Sequence, residues 1–248
     1  MTWRRPARLG PEAAELLDER AGSAAEEAEA YRLLEQVNLR LGGYGATFRA
    51  LAGLFDSWPE DAPLDFVDIA GGDGAFADKL VRWARDRGRP AHALVVDLNP
   101  VALDVARARP AVRVVRADAL RLPLADGSAD CVHCAAFFHH LGVDQARALL
   151  VEMCRVSRGV VVVNDLVRSW VATGAIWALA RLLTDNRLVQ YDGPLSVRKS
   201  FVPDELRSLA HAVGTTAAGD FRWRLRRQFP YRMALVGARA APAEHRAP

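Results

Sequence analysis

From Pro63 onward, short apolar runs alternate with stretches of helical periodicity. Leu64–Ala70 is a run that ends in Gly71-Gly72, and a helix follows from about Ala75 to Asp86. Ala93–Val96 is a second run, followed by a helix that opens at Asn99-Pro100 and ends near Pro110. Val112–Val115 and Cys131–Ala135 read as the third and fourth strands. A helix from about Asp144 to Val156 then leads to the strand Val160–Val163. Strands that are apolar throughout, separated by helices, indicate a parallel sheet covered on both faces.

The flanks differ. Between Pro11 and Phe55 the pattern is helical: Leu33, Leu34, Val37 and Leu41 recur at helical spacing, and Glu26, Glu27 and Glu29 lie where a helix N-terminus favours acids. Gly42-Gly43 interrupts before Phe48, Leu51, Leu54 and Phe55 resume the stripe. After Asp165, a helix carrying Trp170, Ile176, Trp177, Leu182 and Leu183 is apolar on most sides, which is unusual for a solvated element. Asp192-Gly193-Pro194 reads as a loop, Pro203–Val213 as a helix. Phe221–Leu225 alternates with period two, and the short Gln228–Tyr231 link to the strand Tyr231–Val236 predicts an antiparallel hairpin. The expected division is a helical cap at 1–60, a core at 61–240 and a disordered tail at 241–248.

Composition narrows the class. The 248 residues are 51% hydrophobic, enough for a sizeable core, and the three cysteines do not suggest a disulfide framework, so a reducing cytoplasm is expected. The opening MTWRRPARLG lacks an apolar stretch of the kind a secretory signal needs, and Ser169–Ala180 is too short to span a bilayer. All of the 33 basic residues except Lys79 and Lys199 are arginine, and the net charge is only +3. Residues 219–248 hold seven arginines against Asp220 and Glu244, so the rest of the chain is slightly acidic. That distribution argues against nucleic acid as a partner.

The segment Asp68-Ile-Ala-Gly-Gly-Asp-Gly74 carries the chemistry. Glycines at a strand-to-helix turn let the backbone approach a ligand with its amides pointing at it. Asp97 ends the second strand, where a carboxylate can accept from both hydroxyls of a ribose, and Asp118-Ala119 ends the third, placed to contact an adenine edge. These three segments resemble the successive motifs of class I S-adenosylmethionine-dependent methyltransferases. With Phe-His-His-Leu141, the layout of residues 63–238 is similar to the small-molecule branch related to the ubiquinone and menaquinone methyltransferases. The resemblance implies an α/β, Rossmann-like seven-stranded, mostly parallel sheet with an antiparallel last strand. It also implies S-adenosylmethionine as cofactor and S-adenosylhomocysteine as product. Asp68, Gly71, Gly72 and Gly74 would hold the methionine end, Asp97 the ribose and Asp118 the adenine amine, with Leu98, Ala119 and Ala135 completing the cofactor-binding set. The rival is a dinucleotide oxidoreductase, because Gly72-x-Gly74-x-x-Ala77 also fits a relaxed Rossmann fingerprint. Asp68 favours methyl transfer, since a pyrophosphate site gains nothing from an extra anion, and Asp118 is then also explained, whereas a dehydrogenase leaves it unassigned.

Acceptor chemistry is expected beyond the fourth strand. No Asn/Asp-Pro-Pro-aromatic motif occurs there, which leaves hydroxyl, carbon or small-amine acceptors. His140 or His139 could take a proton from a phenol or enol, although transfer from a sulfonium can proceed by alignment alone. Phe138, Asn164 and Asp165 are candidate acceptor contacts, with Trp170 and Trp177 on a lid over an apolar acceptor. Asn38 and the Gly42-Gly43-Tyr44 break could form the opposite wall. Cys131 and Cys134 lie three apart on a strand and so on opposite faces, which argues for inert packing over a metal or disulfide. Arg222, Arg224 and Arg226 form a solvated strand face. The expectation is a cytoplasmic methyltransferase of secondary metabolism, O-methylating a small apolar or aromatic acceptor, without a metal and compatible with a homodimer. Carbon methylation of a quinone-like or polyketide ring, an NAD-dependent oxidoreductase and a non-catalytic binding protein are the alternatives.

Overall fold

A computed structural model describes residues 5–40, 43–55, 63–214 and 221–239. Gly42 and the expected tail at 241–248 lie outside these residues. Seven strands form one sheet in the order β3-β2-β1-β4-β5-β7-β6. They are β1 (Leu64–Ile69), β2 (Ala91–Asp97), β3 (Val112–Arg116), β4 (Ala129–Ala135), β5 (Ser157–Leu166), β6 (Phe221–Gln228) and β7 (Arg232–Arg239). β1 to β5 pair in parallel; β7 runs antiparallel to both β5 and β6, so the last two strands form the expected hairpin. The order reverses between β2-β1 and β4, and ligands of open α/β sheets bind outside the carboxyl ends at such a switch point.

The helices are α1 (Ala24–Arg40), α2 (Gly45–Phe55), α3 (Ala75–Arg85), α4 (Pro100–Arg107), α5 (Val143–Val156), α6 (Trp170–Leu183), α7 (Arg187–Lys199) and α8 (Pro203–Gly214). α4 begins where the sequence placed it, because Asn99 accepts from the amides of Val101 and Ala102 and Pro100 has no N–H that needs an acceptor. One sheet face packs Val132, Cys134, Val161 and Val163 against Leu149, Leu150, Met153 and Leu206 of α5 and α8. The other packs Phe66, Val95, Cys131 and Val162 against Phe76, Leu80 and Val81 of α3, with Tyr44 and Leu51. Cys131 and Cys134 therefore occupy opposite cores, and all three cysteines are free and buried. No helix among the described residues is long and apolar enough to cross a membrane.

Two local readings are overturned. Pro11–Ser23 is not helical; residues 5–23 form an irregular strap with turns at 11–12 and 16–20. Asp192-Gly193-Pro194 is not a loop but the middle of α7. The two departures share a cause. The Asp192 carboxylate accepts from the backbone amides of Leu16 (2.8 Å) and Leu17 (3.0 Å), satisfying strap donors that a helix would otherwise satisfy. Arg8 adds bonds from its guanidinium to the carbonyls of Lys199 (2.8 Å) and Leu141 (2.5 Å) and stacks on Phe201. Asn186 caps α7, whose packing outweighs the usual cost of an internal proline.

Candidate active site

The glycine loop between β1 and α3 opens into a cleft of about 190 Å³. Asp68, Ala70, Gly71, Gly72, Asp73 and Phe76 line one side, His133, Ala135 and Ala136 the floor, and Tyr31, Leu34, Glu35, Asn38 and Tyr44 the facing wall. The backbone there is bent at unusual points. Ala70 and Ala136 end adjacent strands and both have positive φ, at 53° and 51°. An alanine in that region costs roughly 1 kcal/mol or more, and such strain concentrates at functional sites. Gly72 has φ 55°, and a Cβ there would meet nothing within 4 Å, so its backbone faces open space. At Gly71 a Cβ would lie 2.8 Å from the Asp68 carboxylate, so only glycine lets the loop wrap that acid.

Asp68 is buried and does not stand alone. Its Oδ1 lies 2.7 Å from Nδ1 of His133, its neighbour in register on β4. The His133 ring is 1% exposed, packs on Phe76 at 4.4 Å, and its Nε2 has no hydrogen-bond partner. A buried ring nitrogen without a partner beside a cleft is a place for a ligand atom. Asp97 ends β2 as expected. Its Oδ2 accepts from the Gly72 amide (2.9 Å) and its Oδ1 from the Asn99 amide (2.8 Å), which ties the loop to the second strand. A carboxylate offers about four acceptor positions, so about two remain. Leu98 is exposed at 59% beside it. Asp118 is exposed and accepts from the Leu120 amide, while Ala119 is buried beneath it. Gly74 has φ 72° and starts α3 against Ala106 and Val112. Asp68, Gly71, Gly72 and Ala135 thus line the cleft itself, and Asp97 holds its loop; Leu98, Asp118 and Ala119 lie at the neighbouring strand ends.

Beyond β4, a 3₁₀ turn at Phe138–His140 carries the two histidines into a polar cluster. Asp165, at the end of β5, accepts from the His139 amide (2.9 Å) and lies 2.8 Å from its Nδ1. Burial pushes the Asp165 carboxyl up, but His139 and the amides of Leu166 and His139 prevail and hold it below the usual range. Nδ1 of His140 lies 2.9 Å from Asp18 of the strap. Glu15, also on the strap, lies 3.7 Å from Nε2 of His139 and 3.9 Å from Nε2 of His140. Lys199, 2% exposed, reaches Glu15 at 3.2 Å. Arg232 sits close by, 4% exposed, bonded through one nitrogen to Asn38 and with Nη1 unpartnered. Desolvation lowers its pKa, while Asp165 and Tyr44 oppose the shift.

The remaining acceptor candidates are not brought together. Phe138 is 1% exposed inside the sheet core. Asn164 is fully buried, and its amide donates to the Gly43 carbonyl, pinning the chain before α2. Trp170 and Trp177 are each 52% exposed on α6, with Arg198 and Arg181 over their rings, and do not line the cleft. Asp165 alone of that group joins the histidines. Sequence reasoning gave no role to His133, Arg232, Tyr31, Glu35 or Glu15. For His133 a signal existed, since it shares a strand face with Cys131 and Ala135 and stands opposite Asp68. For the strap residues none did.

Residues 66–159 match the family model described as a methyltransferase domain. No curated protein matches the chain in sequence. A SAM-dependent methyltransferase from Aquifex aeolicus superposes with a TM-score of 0.56 at 14% identity, covering 86% of this chain and 98% of that one. The plantazolicin methyltransferase, crystallised with a pentazolic desmethyl analogue and SAH, gives 0.68 at 10% identity, covering 93% and 97%. Magnesium protoporphyrin IX methyltransferase from Synechocystis with bound SAH gives 0.53 at 15%, covering 83% and 87%. At these identities the likeness is one of fold: the sheet is that of the class I SAM-dependent methyltransferases.

Proposed function

We propose that this chain, which carries a methyltransferase domain at residues 66–159, binds S-adenosylmethionine in the cleft. It transfers the methyl group to a hydroxyl of a small apolar or aromatic acceptor, and S-adenosylhomocysteine leaves. The residues fit that cofactor. Asp68 and the unpartnered Nε2 of His133 face the charged methionine end, and the open Gly72 backbone lets it approach. The remaining acceptor positions of Asp97 suit a ribose diol, with exposed Leu98 beside it, and exposed Asp118 at the next strand end is assigned to the adenine edge. When bound, the sulfonium supplies an electrophilic methyl; the chain's work is to align the acceptor and exclude water.

The observation that carries the hydroxyl reading is the polar cluster at the strand ends next to the cleft. Asp165 with His139, His140 and buried Arg232 stand where β4 and β5 end and β7 begins, just beyond Ala135 and Ala136 of the cleft and not in its lining. His139 and His140 are assigned to the acceptor hydroxyl through Nε2, because carboxylates engage both Nδ1 atoms. Arg232 favours an acceptor oxygen that develops negative charge. Small-molecule methyltransferases among the structural neighbours support an acceptor of this size. A cytoplasmic role in secondary metabolism belongs to the same reading, as do a homodimer and the absence of a nucleic-acid partner. Calorimetric titration with SAM and with NAD tests it: one SAM site and no NAD binding is expected. NAD binding without SAM binding would return the chain to the oxidoreductases.

A further inference from the structure

The geometry points to a site for a divalent first-row transition cation held by Nε2 of His139, Nε2 of His140 and the Glu15 carboxylate. This goes beyond the methyl-transfer reading, and the binding it describes requires neither cofactor nor acceptor. The three ligand atoms lie within 4.8 Å of one another. The two nitrogen–oxygen separations, 3.7 and 3.9 Å, are too long for hydrogen bonds. They are close to the spacing of ligands that share one ion at bonds of about 2.0–2.2 Å.

The surroundings are those of a metal centre. Ligating histidines almost always commit the second ring nitrogen to a carboxylate or carbonyl, which fixes the tautomer and aims the other nitrogen at the ion. Both histidines do so here, each with its own acid: His139 with Asp165 at 2.8 Å and His140 with Asp18 at 2.9 Å. The rings lie 4.2 Å apart on one 3₁₀ turn, so both Nε2 atoms converge on Glu15. Glu15 arrives from the strap, which Asp192 and Arg8 anchor independently. Two imidazoles and one carboxylate suit zinc, iron, cobalt or manganese better than calcium or magnesium, and leave coordination positions open. A cation there would take both Nε2 atoms, so the role given to those nitrogens toward the acceptor hydroxyl belongs to the cation-free protein.

Lys199 is the competitor. Its ammonium lies 3.2 Å from Glu15 Oε1 and neutralises that carboxylate when no cation is present. A purely structural ion-pair cluster and a cation site therefore respond oppositely to Lys199→Met. The experiment loads chelator-treated full-length protein with cobalt and with zinc. It reads visible cobalt absorption, metal-to-protein ratio after desalting, and the metal-induced shift in melting temperature. One equivalent is expected, with affinity about 10–100-fold weaker in Asp165→Asn, whose effect acts through His139. Loss is expected in His140→Ala, the more exposed and less disruptive ligand change, and tighter binding in Lys199→Met. Failure of both wild type and Lys199→Met to bind either metal would overturn the inference. So would binding unchanged by His140→Ala, or weakened by Lys199→Met. Because the readouts need no SAM, failure here leaves the methyl-transfer reading standing, and the reverse also holds.

Discussion

Replacing Asp97 with alanine is expected to cost the chain most of its affinity for SAM. In the structure the Asp97 carboxylate accepts from the amides of Gly72 and Asn99, at 2.9 and 2.8 Å. About two of its four acceptor positions remain for the ribose hydroxyls. Hydrogen bonds to a charged group contribute about 1.5–3 kcal/mol each, so two lost ribose bonds remove about 3–6 kcal/mol. That corresponds to roughly 10²- to 10⁴-fold in Kd. Loosening of the Gly72 loop acts in the same direction. Calorimetric titration with SAM measures the change, with circular dichroism melts confirming that the variant remains folded. Asp97→Asn, which keeps one acceptor oxygen, should fall between wild type and alanine. An Asp97→Ala protein that is folded and binds SAM within about threefold of wild type would refute the ribose assignment.

Phe138→Ala should lower stability by about 3–5 kcal/mol in a denaturant titration, because the ring is core and not acceptor wall; an unchanged midpoint with a raised acceptor KM would reverse that placement. Glu26 accepts from the Ser23 amide and hydroxyl and pairs with Arg187, which together lower its pKa from 4.5 to about 2. Since the folded value is depressed, its contribution is fully present above about pH 4.5 and is lost as pH falls through about 2. A carboxyl titration by NMR should give the low value in wild type and one only partly restored toward normal in Arg187→Ala with Ser23→Ala, because the Ser23 amide, the largest cause, remains. Burial pushes the Cys154 thiol to about 12 and raises Cys131 and Cys134 further. Native protein at pH 8 should therefore react slowly with maleimide at all three thiols and fully once unfolded; rapid native labelling would contradict their burial.

The sheet was legible because parallel strands buried on both faces leave continuous apolar runs, as in Val160–Val163, with turn residues between them. Asp97 stood out for the complementary reason, since a carboxylate directly after the apolar run Leu94-Val95-Val96 has few structural excuses, whereas Asp68, inside its strand, stood out by its place before the glycines. Asp192-Gly193-Pro194 misled because its helix is stabilised from outside, by strap amides donated from 175 and 176 residues away. The strap itself misled because apolar Leu16 and Leu17 look helical until their hydrogen-bond partners are known. Glu15 was invisible for the same reason. Its role depends on Lys199 and the two histidines, and no local pattern announces a contact across that distance. Phe138 shows the opposite error, in which nearness to a motif suggested function for a side chain that simply fills the core.

The most direct measurement follows a labelled methyl group from SAM into a panel of phenolic and polyketide-like acceptors, with product identified by mass spectrometry and NMR. A methyl ether formed in equal amount to S-adenosylhomocysteine is expected. Label appearing on ring carbon, or SAM-saturated protein that forms no product with any acceptor, would contradict it.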